Sequence, residues 1–403
     1  MTKRIALSMA LGLLLAGSAH AQTRPDTIKI GVLNDMSGVY ADDQGPGSLL
    51  AAQMAVEDYG GSAAGRKVEV LSGDHQNKVD IGAAIARRWT ENEGVGMIAD
   101  VTNSAVALAV NDIVRDRNKV MIASGAGTAL LTGAKCSPNT VQWTYDTWAY
   151  GHGLARAIVQ QGAKTVYFIT ADYAFGHDLE KQFAEEFVKS GGKVLGAARH
   201  PIGANDFSSL LLQAQNSKAD VIAFANAGGD TSNSLKQAAE FGLARSQKLA
   251  ALIMGQNNVR ALGLQASQGI SLLVPFYWDM TDGSRAFAKR FQERHPKRLM
   301  PNDMHAGVYS GVLHYLKAID KTGGAEDGKA VVAAMKAIPT DDALFGKGGI
   351  RIDGRKLHPM YLFQVKAPAE SKDGWDVYKL AATIPADDAF RPLSEGGCPL
   401  ATN

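Results

Sequence analysis

Short apolar runs that alternate with amphipathic segments most constrain how this 403-residue chain can fold. Thr27–Leu33, Val68–Leu71, Gly96–Ala99 and Lys119–Ala123 read as strands. Between them, apolar residues recur at helical spacing near Leu49–Tyr59, Asp80–Asn92 and Ala105–Asp116. Strands that are apolar on both faces, each followed by a helix, predict a parallel sheet covered on both sides. The pattern then restarts. Helical segments near Tyr150–Gln161, Gly176–Ser190, Asp206–Asn216 and Thr231–Phe241 alternate with strands at Thr165–Thr170, Lys193–Gly196, Ala219–Ala225 and Leu249–Met254. A run at Ile270–Trp278 precedes helical patterns near Ser284–His295, Met304–Thr322 and Gly328–Ile338. Ile350–Gly354 and His358–Lys366 read as an antiparallel pair around a turn. The fold class expected is α/β: two doubly wound parallel-sheet lobes joined by a multi-crossing hinge. Ligands of such sheets bind outside the carboxyl ends of the strands, so a ligand cleft is expected between the lobes.

The division expected is an export segment at 1–21, a first lobe at 22–146 and a second lobe at 147–276. The chain then returns to the first lobe at 277–346 and ends in the second lobe with a tail at 347–403. Hinge crossings are expected near Tyr145–Trp148, Pro275–Trp278 and Phe345–Ile350.

Lys3 and Arg4, an apolar stretch from Ile5 to Leu15, and Ala19-His20-Ala21 are the three parts of a secretory signal peptide, in order. Cleavage is expected after about Ala21, leaving the mature protein in the periplasm. The apolar stretch is shorter than the roughly 20 residues that span a bilayer. Two cysteines, Cys136 and Cys398, fit an oxidising compartment. One disulfide that staples the C-terminal tail is expected, the alternative being two free buried thiols. The net charge is only +2 and no basic run occurs, which argues against nucleic acid as a partner.

Several chemical signatures come close and fail. Gly323 to Lys329 has P-loop spacing, but Ala330 stands where a Ser or Thr must reach a metal. Gly125 and Gly127 could open a dinucleotide fingerprint, yet Leu130 replaces its third glycine. Ser190 and Lys193 have S-x-x-K spacing at a glycine-rich helix end, which is a C-cap pattern. No paired histidines suggest a metal, and no G-x-S-x-G elbow is present. No catalytic residue, metal or cofactor is therefore expected, and the chain is not read as an enzyme.

What remains is a set of polar and aromatic residues at strand ends. The first strand leads to Asp35–Tyr40, the third to Asp100–Ala105 and the fourth to Gly125–Thr128. Hydroxyls beside helix N-terminal amides suit a carboxylate without any arginine. The second half offers Tyr173 and Phe175, then Asn226, then Asn257, each after a strand. Aromatics there would clamp an apolar ligand body. Candidate ligand-binding residues are thus Tyr40, Asn103, Ser104, Ala126, Thr128, Tyr173, Phe175, Asn226 and Asn257.

The chain resembles the type I periplasmic solute-binding proteins of the branched-chain amino acid group of ABC transporters. The residues that carry this are Ile28–Gly31 with Ser37-Gly38, the Ala51–Tyr59 helix, Asn103-Ser104, Ser124–Thr128 and Tyr173–Gly176. The likeness implies a carboxylate site at Ser104 or Asn103, at Thr128 and at the backbone of Ala126. It implies that Phe175 takes the place of an aromatic that is commonly tyrosine. The acid that neutralises a ligand ammonium should fall in Gly255–Asn257, where none stands. Burying an unpaired ammonium costs on the order of several kcal/mol. Asp172 or Asp230 could supply the charge from another loop. Asp74–Lys78, Trp143–Thr147, Asp172–Gly176 and Phe276–Asp279 also resemble the branch that binds aromatic carboxylates. The expectation is an importer component that captures a small carboxylate, an aromatic or other hydrophobic organic acid, by hinge closure. It would act as a monomer with an ABC permease in the inner membrane. The alternatives are a branched-chain or related amino acid binder and a periplasmic ligand sensor for a signalling receptor.

Overall fold

The computed structural model describes residues 26–401, so the export segment expected at 1–21 lies outside the described residues. The first sheet has six strands in the order Ser62–Ala63, Arg66–Asp74, Thr27–Asn34, Val95–Asp100, Val120–Ala123 and Thr140–Gln142. All its pairs are parallel except the first, short one. Thr27–Asn34 lies at the middle, and the chain winds outward from it first to one side and then to the other. Val95–Asp100 is buried along its whole length, as a strand covered on both faces must be. One face packs on the helices Gly45–Asp58 and Asp303–Thr322. The other packs on Val79–Glu91 and Ser104–Asp116.

The second lobe repeats the winding with four parallel strands in the order Lys248–Ala251, Val221–Ala225, Thr165–Ala171 and Lys193–His200. The helices Thr147–Gln160 and Ala174–Lys189 cover one face. Ser208–Ser217 and Gly228–Glu240 cover the other. A separate antiparallel sheet, Ser271–Val274, Met360–Val365 and Tyr378–Ile384, completes this lobe. The antiparallel pair expected between Ile350–Gly354 and His358–Lys366 forms a few residues earlier and is shorter, with Gly349 and Ile350 opposite Leu357 and Lys356 around the turn at 351–355. Met360–Val365 instead joins strands from elsewhere in the chain, because Leu272, Val274, Phe363 and Val365 share one apolar cluster.

The chain passes between the lobes three times. The first passage, Trp143–Asp146, ends where the Asp146 carboxylate accepts from the Ala149 amide and caps Thr147–Gln160. The second follows Val274 and reaches the helix Asp282–Arg294, whose Phe287 and Phe291 lie in the first-lobe core. The third lies beyond Phe345–Ile350. Phe345 and Ile350 stay in the first-lobe core, and the Gln142 amide donates to the Gly354 carbonyl. The passage is made at His358 and Pro359, just before Met360–Val365. Cys136 and Cys398 form the expected disulfide, which ties the tail to the loop before Thr140–Gln142. Among the described residues no helix is long and apolar enough to cross a membrane.

Candidate functional site

The carboxyl ends of the two parallel sheets face each other, and the lobes are closed. The Gly229 amide donates to the Val39 carbonyl across the gap at 3.0 Å. The hydroxyls of Tyr40 and Tyr173 meet at 2.8 Å. Gln256 Nε2 reaches the carbonyls of Met300 and Pro301, both at 3.1 Å. Gly228 permits this approach: its φ is +59°, and a Cβ there would lie 2.5 Å from the Val39 carbonyl oxygen. Between the lobes lies a cleft lined by residues of both.

On the first-lobe side the wall begins where Val95–Asp100 ends. Asp100, Val101 and Asn103 all have positive φ (74°, 51° and 66°). For a β-branched valine this is a strained conformation, a type of strain that clusters at functional sites. Here it turns the chain so that the helix Ser104–Asp116 starts at the cleft. Asn103 caps that helix by accepting from the Ala105 and Val106 amides. Ser104, the first helical residue, lines the cleft, where the positive end of the helix dipole favours an anion. Thr102 donates to Gln44 Oε1, and His305 Nε2 lies 3.1 Å from the Gln44 carbonyl, so Gln44 is held from two sides.

Aromatic rings form much of the rest of the wall. Tyr40, Tyr145, Tyr150, Tyr173 and Phe175 all line the cleft. The Tyr145 hydroxyl donates to the Gly125 carbonyl at 2.9 Å. A Cβ on Gly127 would come within 2.8 Å of Phe175 and 2.9 Å of Tyr145, so only glycine admits both rings there.

The charge on this wall is one-signed. Asp43 and Asp303 line the cleft, and among the described residues no Lys, Arg or His does. Burial pushes the Asp43 carboxyl up to about 6, against the opposing effect of the Asn257 amide. Burial likewise pushes Asp303 up to about 7, and the nearby Asp43 charge adds to this. The Tyr150 hydroxyl stands 3.5 Å from Asp303 Oδ2. Near neutral pH Asp303 can therefore either donate a proton in a hydrogen bond or present a negative charge.

Five of the nine candidate residues stand on this wall: Tyr40, Asn103, Ser104, Tyr173 and Phe175. The other four do not. Ala126 is buried between Gly125 and Gly127, which themselves line the cleft. Thr128 donates from Oγ1 to Asp178 at 2.8 Å, and its amide donates to Ser104 Oγ at 3.2 Å. Asn226 is buried inside the second lobe, bonded with Thr231, Ser234 and His200. Asn257 donates to the Asp42 carbonyl and to Asp43 Oδ1, and bridges the lobes at the side of the cleft. Of the acids named as counter-charges, Asp172 pairs with His177 on the surface and Asp230 accepts from the Gly203 amide. Sequence reasoning missed Asp43, Gln44, Asn258 and Asp303, which line the cleft. Asn302-Asp303 at the head of an apolar helix is a legible cap signal, but the direction in which Asp303 faces is set only by packing.

A family model described as a periplasmic binding protein matches residues 27–374. A periplasmic binding protein from Burkholderia mallei is 48% identical, with 93% of this chain and 99% of that one covered and a TM-score of 0.91. A branched chain amino acid ABC transporter periplasmic ligand-binding protein from Burkholderia xenovorans LB400 is 39% identical, with 93% and 100% covered and a TM-score of 0.81. An ABC transporter solute binding protein from Rhodopseudomonas palustris, solved in complex with 4-hydroxybenzoate, is 26% identical, with 90% and 98% covered and a TM-score of 0.81.

Proposed function

This chain belongs to the periplasmic binding protein family, and from that premise we propose that it captures a small carboxylate with an aromatic or other hydrophobic body for an ABC importer. The observation that carries this reading is the make-up of the closed cleft. A helix N-terminus at Ser104 offers an anion site, and four tyrosines and Phe175 surround the space beside it. The complex of the Rhodopseudomonas relative with 4-hydroxybenzoate gives the same reading independent support. Capture proceeds by rotation about the three inter-lobe passages, which brings the aromatic wall of the second lobe over the solute. The closed form then docks, as a monomer, on a permease in the inner membrane. The mature chain starts after about Ala21 and works in the periplasm. Proteins of this family bind and release solutes without converting them.

The two carboxyls on the wall favour a second reading, an amino acid whose ammonium faces Asp303. The readings differ in the proton on Asp303. An organic acid needs Asp303 protonated, as a neutral donor to the ligand carboxylate. Its affinity should fall as pH rises through about 7, where Asp303 loses that proton. An ammonium needs Asp303 ionised, so its affinity should rise over the same interval. Titration calorimetry of 4-hydroxybenzoate and of leucine at pH 6 and pH 8 separates them. Binding of leucine that strengthens with pH, with no binding of aromatic acids, overturns the organic-acid reading.

A further inference from the structure

The helix Ala174–Lys189 begins at the cleft, and its first turn makes two kinds of contact. Phe175 lines the solute space. Three residues on, and so on the same helix face, Asp178 reaches out of its own lobe. Its Oδ2 accepts from Thr128 Oγ1 at 2.8 Å, from the Ala129 amide at 3.0 Å and from Thr147 Oγ1 at 2.7 Å. Its Oδ1 accepts from Gln182 Nε2 at 3.2 Å. Thr128 and Ala129 follow the first-lobe strand Val120–Ala123, and Thr147 opens the helix after the first inter-lobe passage. One carboxylate thus joins both lobes and the end of a hinge segment. The first-lobe end of this contact also touches the solute wall, because Ser104 Oγ accepts from the Thr128 amide.

We propose that Asp178 is a positioning residue that couples solute capture to lobe closure. A solute seated against Phe175 and Ser104 sets the helix start and the Thr128 loop at the separation where Asp178 collects its donors. When the lobes part, Thr128 and Ala129 move away from Asp178 and all three return to water. The carboxylate therefore favours only the closed form. Thr128 thereby serves the protein's own carboxylate. This inference rests on the closure motion proposed above and not on the identity of the solute.

Closure can be read without any solute by trapping it. A Cβ on Gly229 would stand 3.7 Å from the Val39 Cβ, across the lobes. That lies within the roughly 3.5–4.5 Å that a disulfide spans. In a Val39→Cys/Gly229→Cys parent the native cysteines are already paired with each other, and the rate of the new bond under mild oxidation reports the closed population. Asp178→Ala should slow trapping roughly tenfold, the size expected for losing charge-assisted hydrogen bonds. Asp178→Asn, which keeps an acceptor and loses the charge, should fall between. Thr128→Val, which removes one donor, should give a smaller decrease and carries the test if Asp178→Ala does not fold. Asp220 provides the control, since it accepts from the Lys164 and Thr165 amides within the second lobe. Asp220→Asn should lower Tm and leave the trapping rate unchanged. Trapping of Asp178→Ala at the parental rate, or equal slowing by Asp220→Asn, overturns the proposal. Absence of binding by both 4-hydroxybenzoate and leucine would instead count against the solute readings, and leaves the trapping result intact.

Discussion

Two clusters of buried charge sit at opposite ends of the same design problem. In the cleft, Asp43 and Asp303 face a space with no cation on its wall among the described residues. At the first and third inter-lobe passages, Arg355, Lys356 and His358 are buried to within 1% of full enclosure. The hinge bases spend most of their hydrogen-bonding capacity on the backbone. Arg355 donates to the carbonyls of Thr144, Tyr145 and Lys356 and reaches Asp146 Oδ2 at 3.4 Å. His358 Nε2 lies 2.7 Å from the Thr144 carbonyl. Of the cleft acids, Asp43 Oδ1 accepts from the Asn257 amide and Asp303 Oδ2 lies 3.5 Å from the Tyr150 hydroxyl. A charge with its partners built in holds a shape, and a charge without them awaits a ligand or a proton.

Breaking the hinge side of this contrast should have the largest effect. Arg355→Met strands the Tyr145 carbonyl, leaves the Thr144 carbonyl to His358 alone, takes the ion-pair partner from the buried Asp146 carboxylate, and removes a guanidinium that lies 4.4 Å from the Phe390 ring. Losing one member of a buried ion pair costs about 3–5 kcal/mol. Urea denaturation should show that loss of stability. A loss below about 1 kcal/mol would mean that the two passages are not pinned together by this side chain.

The cleft side should respond to pH in the opposite sense to an ordinary paired carboxylate. Asp303 holds its proton up to about 7 in the folded protein, against 3.8 as its ordinary value. Between those values the folded state binds the extra proton. The stabilisation is complete below about 3.8 and is lost as pH rises to about 7. Asp303→Asn removes that dependence. Without solute, the variant should gain about 2–4 kcal/mol on wild type at pH 8 relative to pH 4. Denaturant midpoints measured across that range check it, and parallel curves for the two proteins would show that Asp303 is not held protonated by its burial.

The contrast also explains what the sequence made legible. The two windings could be read because strands such as Gly96–Ala99 and Val221–Ala225 carry no polar side chain, and helices of clear period follow them. Of the residues picked at strand ends, Tyr40, Asn103, Ser104, Tyr173 and Phe175 lie on the cleft wall. Asp303 escaped because it reaches the cleft from a helix that joins the first lobe late in the chain. Local pattern carries no sign of such a return. Thr128 looked like a solute ligand because its residue type and position suit a carboxylate. The carboxylate that it meets is Asp178, some fifty residues away in sequence and in the other lobe. The third passage was expected too early because Gly346–Ile350 reads as an ordinary strand. Its tie to the first lobe is the bond between the Gln142 amide and the Gly354 carbonyl, which no periodicity encodes.

Lys356 is the exception within the hinge cluster, and it gives the sharpest test of the contrast. Its Nζ is fully buried and has no hydrogen-bond partner, standing 4.8 Å from the Phe345 ring and 5.4 Å from Trp143. Burial pushes the ammonium down to about 8, with Asp342 opposing the shift and Arg355 adding to it. The folded state therefore prefers the neutral amine, and the cost of the charge is felt in full below about 8. It is relieved as pH rises toward 10.5, the ordinary value. Lys356→Met keeps the apolar stem and removes the charge. At pH 7 it should be more stable than wild type by about 1–3 kcal/mol, the usual gain on replacing a poorly paired buried charge. The advantage should shrink between pH 8 and pH 10.5, where the wild-type amine is already neutral. If the variant is instead destabilised at pH 7, the two rings hold the ammonium better than water does. Lys356 would then belong with Arg355, as a charge whose partners are built in.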